Sequence, residues 1–168
     1  MSGIYYSTKL MTGFSCAFRQ WRADSHCRFN HGYDLGFRFK FAATDLDARN
    51  WVVDFGSLKS LKAILEDAFD HKTVIAEDDP LLDYFKEGER LGALQLRVLP
   101  KAGCEAFAYY VAETTEVWIR DAGYYPRCRV HSVEVMENER NSAIYEKPAP
   151  LIQSPFSGVD IQKFAKGM

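Results

Sequence analysis

The stretch from Asn30 to Ala43, NHGYDLGFRFKFAA, alternates without a break. Tyr33, Leu35, Phe37, Phe39 and Phe41 fall on one side, and Asp34, Arg38 and Lys40 on the other. Successive side chains of a β-strand point to opposite faces, so a period of two specifies a strand with one face on a core and one in water. One-sided burial of this kind belongs to antiparallel sheets. The preceding segment, GIYYSTKLMTGFSCAFRQW, is aromatic and β-branched and has no helical period, so it also reads as a strand. The polar loop RADSHCR joins the two into a long hairpin.

The rest of the chain alternates in character. NWVVDF (50–55) is a short extended piece, and Gly56 and Ser57 open a helix with Ser57 as its N-cap. Leu58, Leu61, Ile64, Leu65, Ala68 and Phe69 follow at helical spacing. Asp78, Asp79 and Pro80 open a short helix, PLLDYFKEG, and LQLRVLP is a brief strand ended by Pro100. A second long helix runs from about Cys104 to Ala122, with Phe107, Tyr110, Val111, Val117 and Trp118 as its apolar face and Gly123 as its stop. RCRVHSVEVMENERNSAIYE alternates again, turns near Asn138 to Asn141 and ends at Tyr145. The expected fold is α+β, a four-stranded antiparallel sheet with two helices packed on one face. Such a sheet leaves edges, which oligomerisation covers by joining sheets. Residues 1–146 form one domain, and 147–168, with Pro148, Pro150 and Pro155, form a C-terminal extension.

Composition narrows the function. A net charge of −2 gives no electrostatic footprint for nucleic acid. No apolar run is long enough to cross a membrane, and the N-terminus MSGIYYSTKLMTG has no signal-peptide pattern. Four cysteines (Cys16, Cys27, Cys104 and Cys128) occur without a CxxC pair, which fits free thiols and a cytoplasmic setting.

Four groups of residues carry chemistry. Cys27 has His26, Arg28 and His31 nearby, groups that favour the thiolate; the local sequence taken alone favours a loop cysteine without a role. Asp70–His71 ends the first helix, where a carboxylate can set the imidazole tautomer, and where the helix dipole alone also accounts for a histidine. Glu116 sits in the helical run Glu-Thr-Thr-Glu (113–116), and Glu137 closes a strand; taken singly, each also reads as a solvated carboxylate.

Taken together, FSCAFR (14–19), CRFNHGY (27–33), VDFGSLK (53–59), DH (70–71), ETTE (113–116) and the Glu137–Tyr145 spacing resemble, in order, the motifs of the 6-pyruvoyltetrahydropterin synthase and 6-carboxytetrahydropterin synthase family. The resemblance extends to Glu146 and implies the tunnelling fold, with sheets joined into a β-barrel, commonly a homohexamer with pockets between subunits. It implies a pterin as partner, with 7,8-dihydroneopterin triphosphate or a relative as substrate. Cys27 matches the catalytic cysteine, and Asp70 and His71 match its proton-shuttling partners. Thr115, Glu116 and Glu137 match the pterin-binding positions, Glu137 being the main anchor. A carboxylate suits that task, because the pterin amino group and ring N–H are parallel donors.

The resemblance also implies zinc, held by one histidine in the first strand and two in His-Gly-His, which polarises the substrate side chain and stabilises an enolate-like intermediate. Here those positions are Phe18, His31 and Tyr33, so one ligand of three is kept. Cys16 lies on the same strand face as Phe18 and, with His31 and Cys27, is the alternative ligand set. Three readings follow: a pterin-processing lyase working by Cys/His/Asp proton transfer, a zinc-less paralogue catalysing another pterin reaction, and a pterin or purine binding protein. Phe18 and Tyr33 count against the first, and the retained acid–base trio counts against the third.

Overall fold

A computed structural model describes residues 3–148. Strands β1 (Tyr5–Phe18) and β2 (His31–Ala43) form the expected hairpin, with Phe14 opposite Leu35 and Phe18 opposite His31. Strand β5 (Cys128–Met136) pairs antiparallel with β2, and β6 (Ser142–Glu146) with β5. The alternation holds in space, since Leu35, Phe37, Phe39 and Phe41 are fully buried.

The sheet is wider than expected. It is a curled, mixed sheet of six strands in the order β4-β3-β1-β2-β5-β6, not an antiparallel sheet of four. β3 (Lys72–Ala76) runs parallel to β1, and β4 (Leu96–Leu99), the brief strand in LQLRVLP, runs parallel to β3. β3 is nearly all buried, so it shows no period of two, and it follows α1 at once. A short buried strand in a parallel pair is a plain apolar run, which periodicity cannot separate from the end of a helix.

Three helices flank this sheet: α1 (Leu58–Phe69), α2 (Leu82–Arg90) and α3 (Cys104–Asp121). Leu58, Leu61, Leu65 and Phe69 of α1 and Phe107, Val111, Trp118 and Ile119 of α3 close over the phenylalanines of β2. α2 covers β3 and β4 at the sheet end through Phe85. Ser57 precedes α1 but does not cap it; its hydroxyl donates to the Asp54 carbonyl at 2.7 Å and pairs with the Tyr124 hydroxyl at 2.7 Å.

An irregularity in β5 matters for the site. Opposite β2, Lys40 faces Ser132 but Phe41 faces Val130, so β5 carries one extra residue. The bulge resets the alternation and lets Val130 and Val133 both enter the core.

Candidate functional site

The loop between β1 and β2 carries Cys27. It is tied down at both ends. The Gln20 N–H donates to the Cys27 carbonyl at 2.9 Å, and Cys27 sits in a single 3-10 turn, His26–Arg28, capped by Ser25. One residue upstream, Arg19 donates through Nε (2.7 Å) and a terminal nitrogen (3.0 Å) to Asp79, whose side chain is fully buried. The loop then reaches α3 because Gly103 precedes it. Gly103 has φ +123, and a Cβ there would meet the Gln20 amide.

That approach creates a cavity of about 260 Å³ that gathers Phe18, Cys27, Cys104, Glu105, Glu137 and Asn141. Glu137 arrives from the far end of β5, held by the turn that follows. Asn138 Oδ1 accepts from the N–H groups of Arg140 (2.8 Å) and Asn141 (3.0 Å), and Glu137 N–H donates to the Asn141 carbonyl (3.0 Å). Two of the residues singled out from the sequence, Cys27 and Glu137, thus share one cavity, with Phe18 in its wall. Cys104 and Glu105 were missed as site residues, since a sequence reading takes them only as the helix start. The signal was Gly103 before a carboxylate in the first helical turn, where the helix dipole favours negative charge. Burial pushes the Cys104 thiol up to about 12, with Glu137 and Glu105 adding to the rise.

His31 and Tyr33 stand beside this cavity. His31 Nδ1 lies 2.7 Å from the Phe29 carbonyl, which can only accept, so Nδ1 carries hydrogen and Nε2 of the neutral ring is a lone pair. The Tyr33 hydroxyl donates to that lone pair. Tyr33 stacks on Phe18 with centroids 4.1 Å apart at 17°. Burial, then Glu137 and Cys27, hold the Tyr33 phenol well above its ordinary value.

These residues do not fit zinc. Both imidazole nitrogens of His31 are engaged, and Phe18 offers no lone pair. Cys16, the alternative ligand, is 2% exposed in the core, and burial, then Cys104 and Asp70, push its thiol up to about 12. A zinc ligand must be the thiolate. Among the described residues no three His, Cys, Asp or Glu side chains are grouped to hold a metal ion.

The remaining expected residues lie elsewhere. Thr115 is fully buried in α3, its hydroxyl donating to the Val111 carbonyl at 2.7 Å. Glu116 Oε1 accepts the Val130 N–H at 2.8 Å, the donor at the β5 bulge. Both make these bonds, and neither lines this cavity. Asp70 and His71 also lie outside it. Asp70 Oδ1 accepts from Ser15 N–H (3.0 Å), Oδ2 lies 3.0 Å from His71 Nδ1, and the His71 N–H donates to the Ser15 carbonyl (2.6 Å). These bonds hold His71 in the left-handed region (φ +56), a conformation that costs a non-glycine residue free energy. Burial raises the Asp70 pKa, but hydrogen bonds from His71 and Ser15 outweigh it and the net shift is downward. His71 is left 77% exposed, its Nδ1 held by Asp70.

A family model described as 6-pyruvoyl tetrahydropterin synthase matches residues 8–148. Several solved structures share the fold. An uncharacterised protein from Wolinella succinogenes is 22% identical, with a TM-score of 0.74 over 88% of this chain and 100% of that one. A 6-pyruvoyl tetrahydropterin synthase from Caenorhabditis elegans is 18% identical, with a TM-score of 0.60 over 87% of this chain and 97% of that one. One from Plasmodium vivax is 15% identical, with a TM-score of 0.61 over 86% of this chain and 99% of that one. No curated protein matches by sequence.

Proposed function

We propose, from the premise that this chain belongs to the 6-pyruvoyl tetrahydropterin synthase family, that it is a pterin-processing enzyme acting by proton transfer on 7,8-dihydroneopterin triphosphate or a related pterin. The observation that carries the proposal is the single cavity joining Cys27 to Glu137. Glu137, pinned by its turn, accepts the two parallel donors of the pterin ring. Cys27 faces the same space, where its thiolate takes a proton from the ligand's side chain.

Asp70–His71 is an oriented base on an exposed edge, away from this chain's own cavity. We assign it to the cavity of a neighbouring copy in a homo-oligomer, which would complete the acid–base set. No helix among the described residues is long and apolar enough to cross a membrane.

Neopterin fluorescence on titration with protein tests the anchor. Glu137→Ala should weaken binding by about a hundredfold or more, the loss of two charge-assisted hydrogen bonds. Deuterium wash-in at the pterin side chain, followed by NMR, tests the chemistry. Cys27→Ser should bind neopterin but exchange slowly. A wild-type protein that binds neopterin no better than Glu137→Ala would sink the proposal.

A further inference from the structure

We infer that Phe18, His31 and Tyr33 form a metal-independent cluster, in which stacking and one hydrogen bond fill the space of an ion and the Tyr33 phenol is a positioning residue for Glu137. The second half rests on the pterin reading above.

Four observations converge. Phe18 lies opposite His31, and Tyr33 is two residues beyond His31 on the same face, so the three side chains meet by register. Phe18 is packed by two rings, Tyr33 at 4.1 Å and Phe107 at 5.0 Å between centroids. His31 is saturated: Nδ1 donates to Phe29, and Nε2 accepts from Tyr33. A metal could reach Nε2 only by breaking the Tyr33 bond and would then find one imidazole, well short of the three or four protein ligands zinc takes. Finally, Tyr33 and Glu137 line a shared groove on the outer side of the turn, while Glu137 also lines the Cys27 cavity. The phenol, bonded to His31, therefore borders the same groove as the carboxylate proposed as anchor. Its single hydrogen goes to His31, and the phenol and the carboxylate share one groove wall. When a pterin supplies Glu137 with its own donors, the Tyr33 hydrogen stays with His31, and the carboxylate is already in place.

The test has a metal arm and a ligand arm. In the first, wild-type protein is dialysed against zinc sulfate, washed and analysed for metal, and the His31 imidazole resonances are followed by NMR with and without zinc. We expect no stoichiometric zinc and unmoved resonances; zinc bound with displaced His31 signals would overturn the inference. The double variant Phe18→His/Tyr33→His places three imidazoles on one face and should take up about one zinc per chain. A folded double variant that binds none would overturn the placement of the cluster, and the wild-type NMR arm decides the matter if that variant fails to fold. In the second arm, neopterin affinity of the wild type should be the same with and without a chelator. Tyr33→Phe keeps the stack and loses the hydroxyl, and should weaken neopterin about tenfold. Unchanged affinity would overturn the positioning role. Absence of any neopterin binding by the wild type sinks the proposed function and with it that role, while the zinc measurements still decide the metal-free cluster.

Discussion

Replacing Asp79 by alanine should destabilise the protein and loosen the Cys27 loop at the same time. Asp79 accepts three hydrogen bonds: Arg19 Nε at 2.7 Å, an Arg19 terminal nitrogen at 3.0 Å and the Leu81 N–H at 2.8 Å. Its carboxylate is fully buried, and the Arg19 side chain is 13% exposed. Breaking a buried ion pair by removing one partner costs about 3–5 kcal/mol, because a charge is left unpaired. Arg19 has a route to water, which places the expected loss near the low end, about 3 kcal/mol. For a domain of this size that corresponds to a fall in Tm of roughly 6–12 °C. Urea unfolding followed by tryptophan fluorescence measures it. The reasoning separates the cost of an orphaned charge from the net worth of the pair: Arg19→Met/Asp79→Leu should recover most of the loss, since apolar replacement of a buried pair is near neutral. The Cys27 thiol should also react faster with a disulfide reagent in Asp79→Ala, because the Gln20–Cys27 bond follows Arg19 directly. A loss under about 1 kcal/mol, or a double variant as unstable as the single one, would refute this account of how the loop is held.

Cys27 should be the first thiol labelled by a disulfide reagent in the native protein at pH 8, since Cys16 and Cys128 are buried and the Cys104 thiol is pushed up to about 12; mass spectrometry of the labelled peptides identifies it. Stability should fall on the alkaline side. Burial raises Cys16 to about 12 and Cys128 to about 11 from an ordinary 9.0, so below pH 9 both states are neutral, and above it only the unfolded chain ionises. Each thiol then removes up to about 1.4 kcal/mol per pH unit until its folded pKa is reached, measurable as denaturation midpoints from pH 8 to 11. Glu116→Ala should cost about 1–3 kcal/mol by orphaning the Val130 N–H, and should leave neopterin affinity within about twofold of the wild type; a large affinity loss with little destabilisation would restore Glu116 to the ligand site.

The hairpin was legible because its signal is local. The five apolar residues of β2 spell a half-buried strand with no help from elsewhere in the chain. Cys27 and Glu137 were legible through ordered motifs, and their meeting in one cavity follows from the hairpin and the β5–β6 turn. What stayed hidden depends on tertiary partners. β3 is short and buried, so no periodic pattern marks it. The β5 bulge is a register property, visible only once β2 lies alongside. The run 113–116 lies further along the helix that borders the cavity. Glu105 and Glu116 are eleven residues apart, close to three full helical turns, so they share a face of α3 but sit about 16 Å apart along it. A carboxylate at the upper position reaches the cavity, whereas the lower one reaches the bulge.

The cluster at Phe18, His31 and Tyr33 also explains why two of its positions differ together from the three-histidine pattern. Phe18 is 2% exposed, between the rings of Tyr33 and Phe107. An imidazole there, with Tyr33 still stacked over it, would bury a polar ring where a phenyl now packs; a buried donor or acceptor left unpaired costs about 1–3 kcal/mol. An imidazole at position 33 alone would lose the hydroxyl that now satisfies His31 Nε2 and would face Phe18, which offers nothing to bond. Each single change pairs a polar ring with an apolar one, so the intermediate suits neither a metal nor a packed core. The two stable arrangements are three imidazoles around an ion, or one imidazole sealed by a phenol over a phenyl. His31 belongs to both, which is why its retention alone carries no information about metal, and why the misfit to zinc lies in the bond that Tyr33 makes to it.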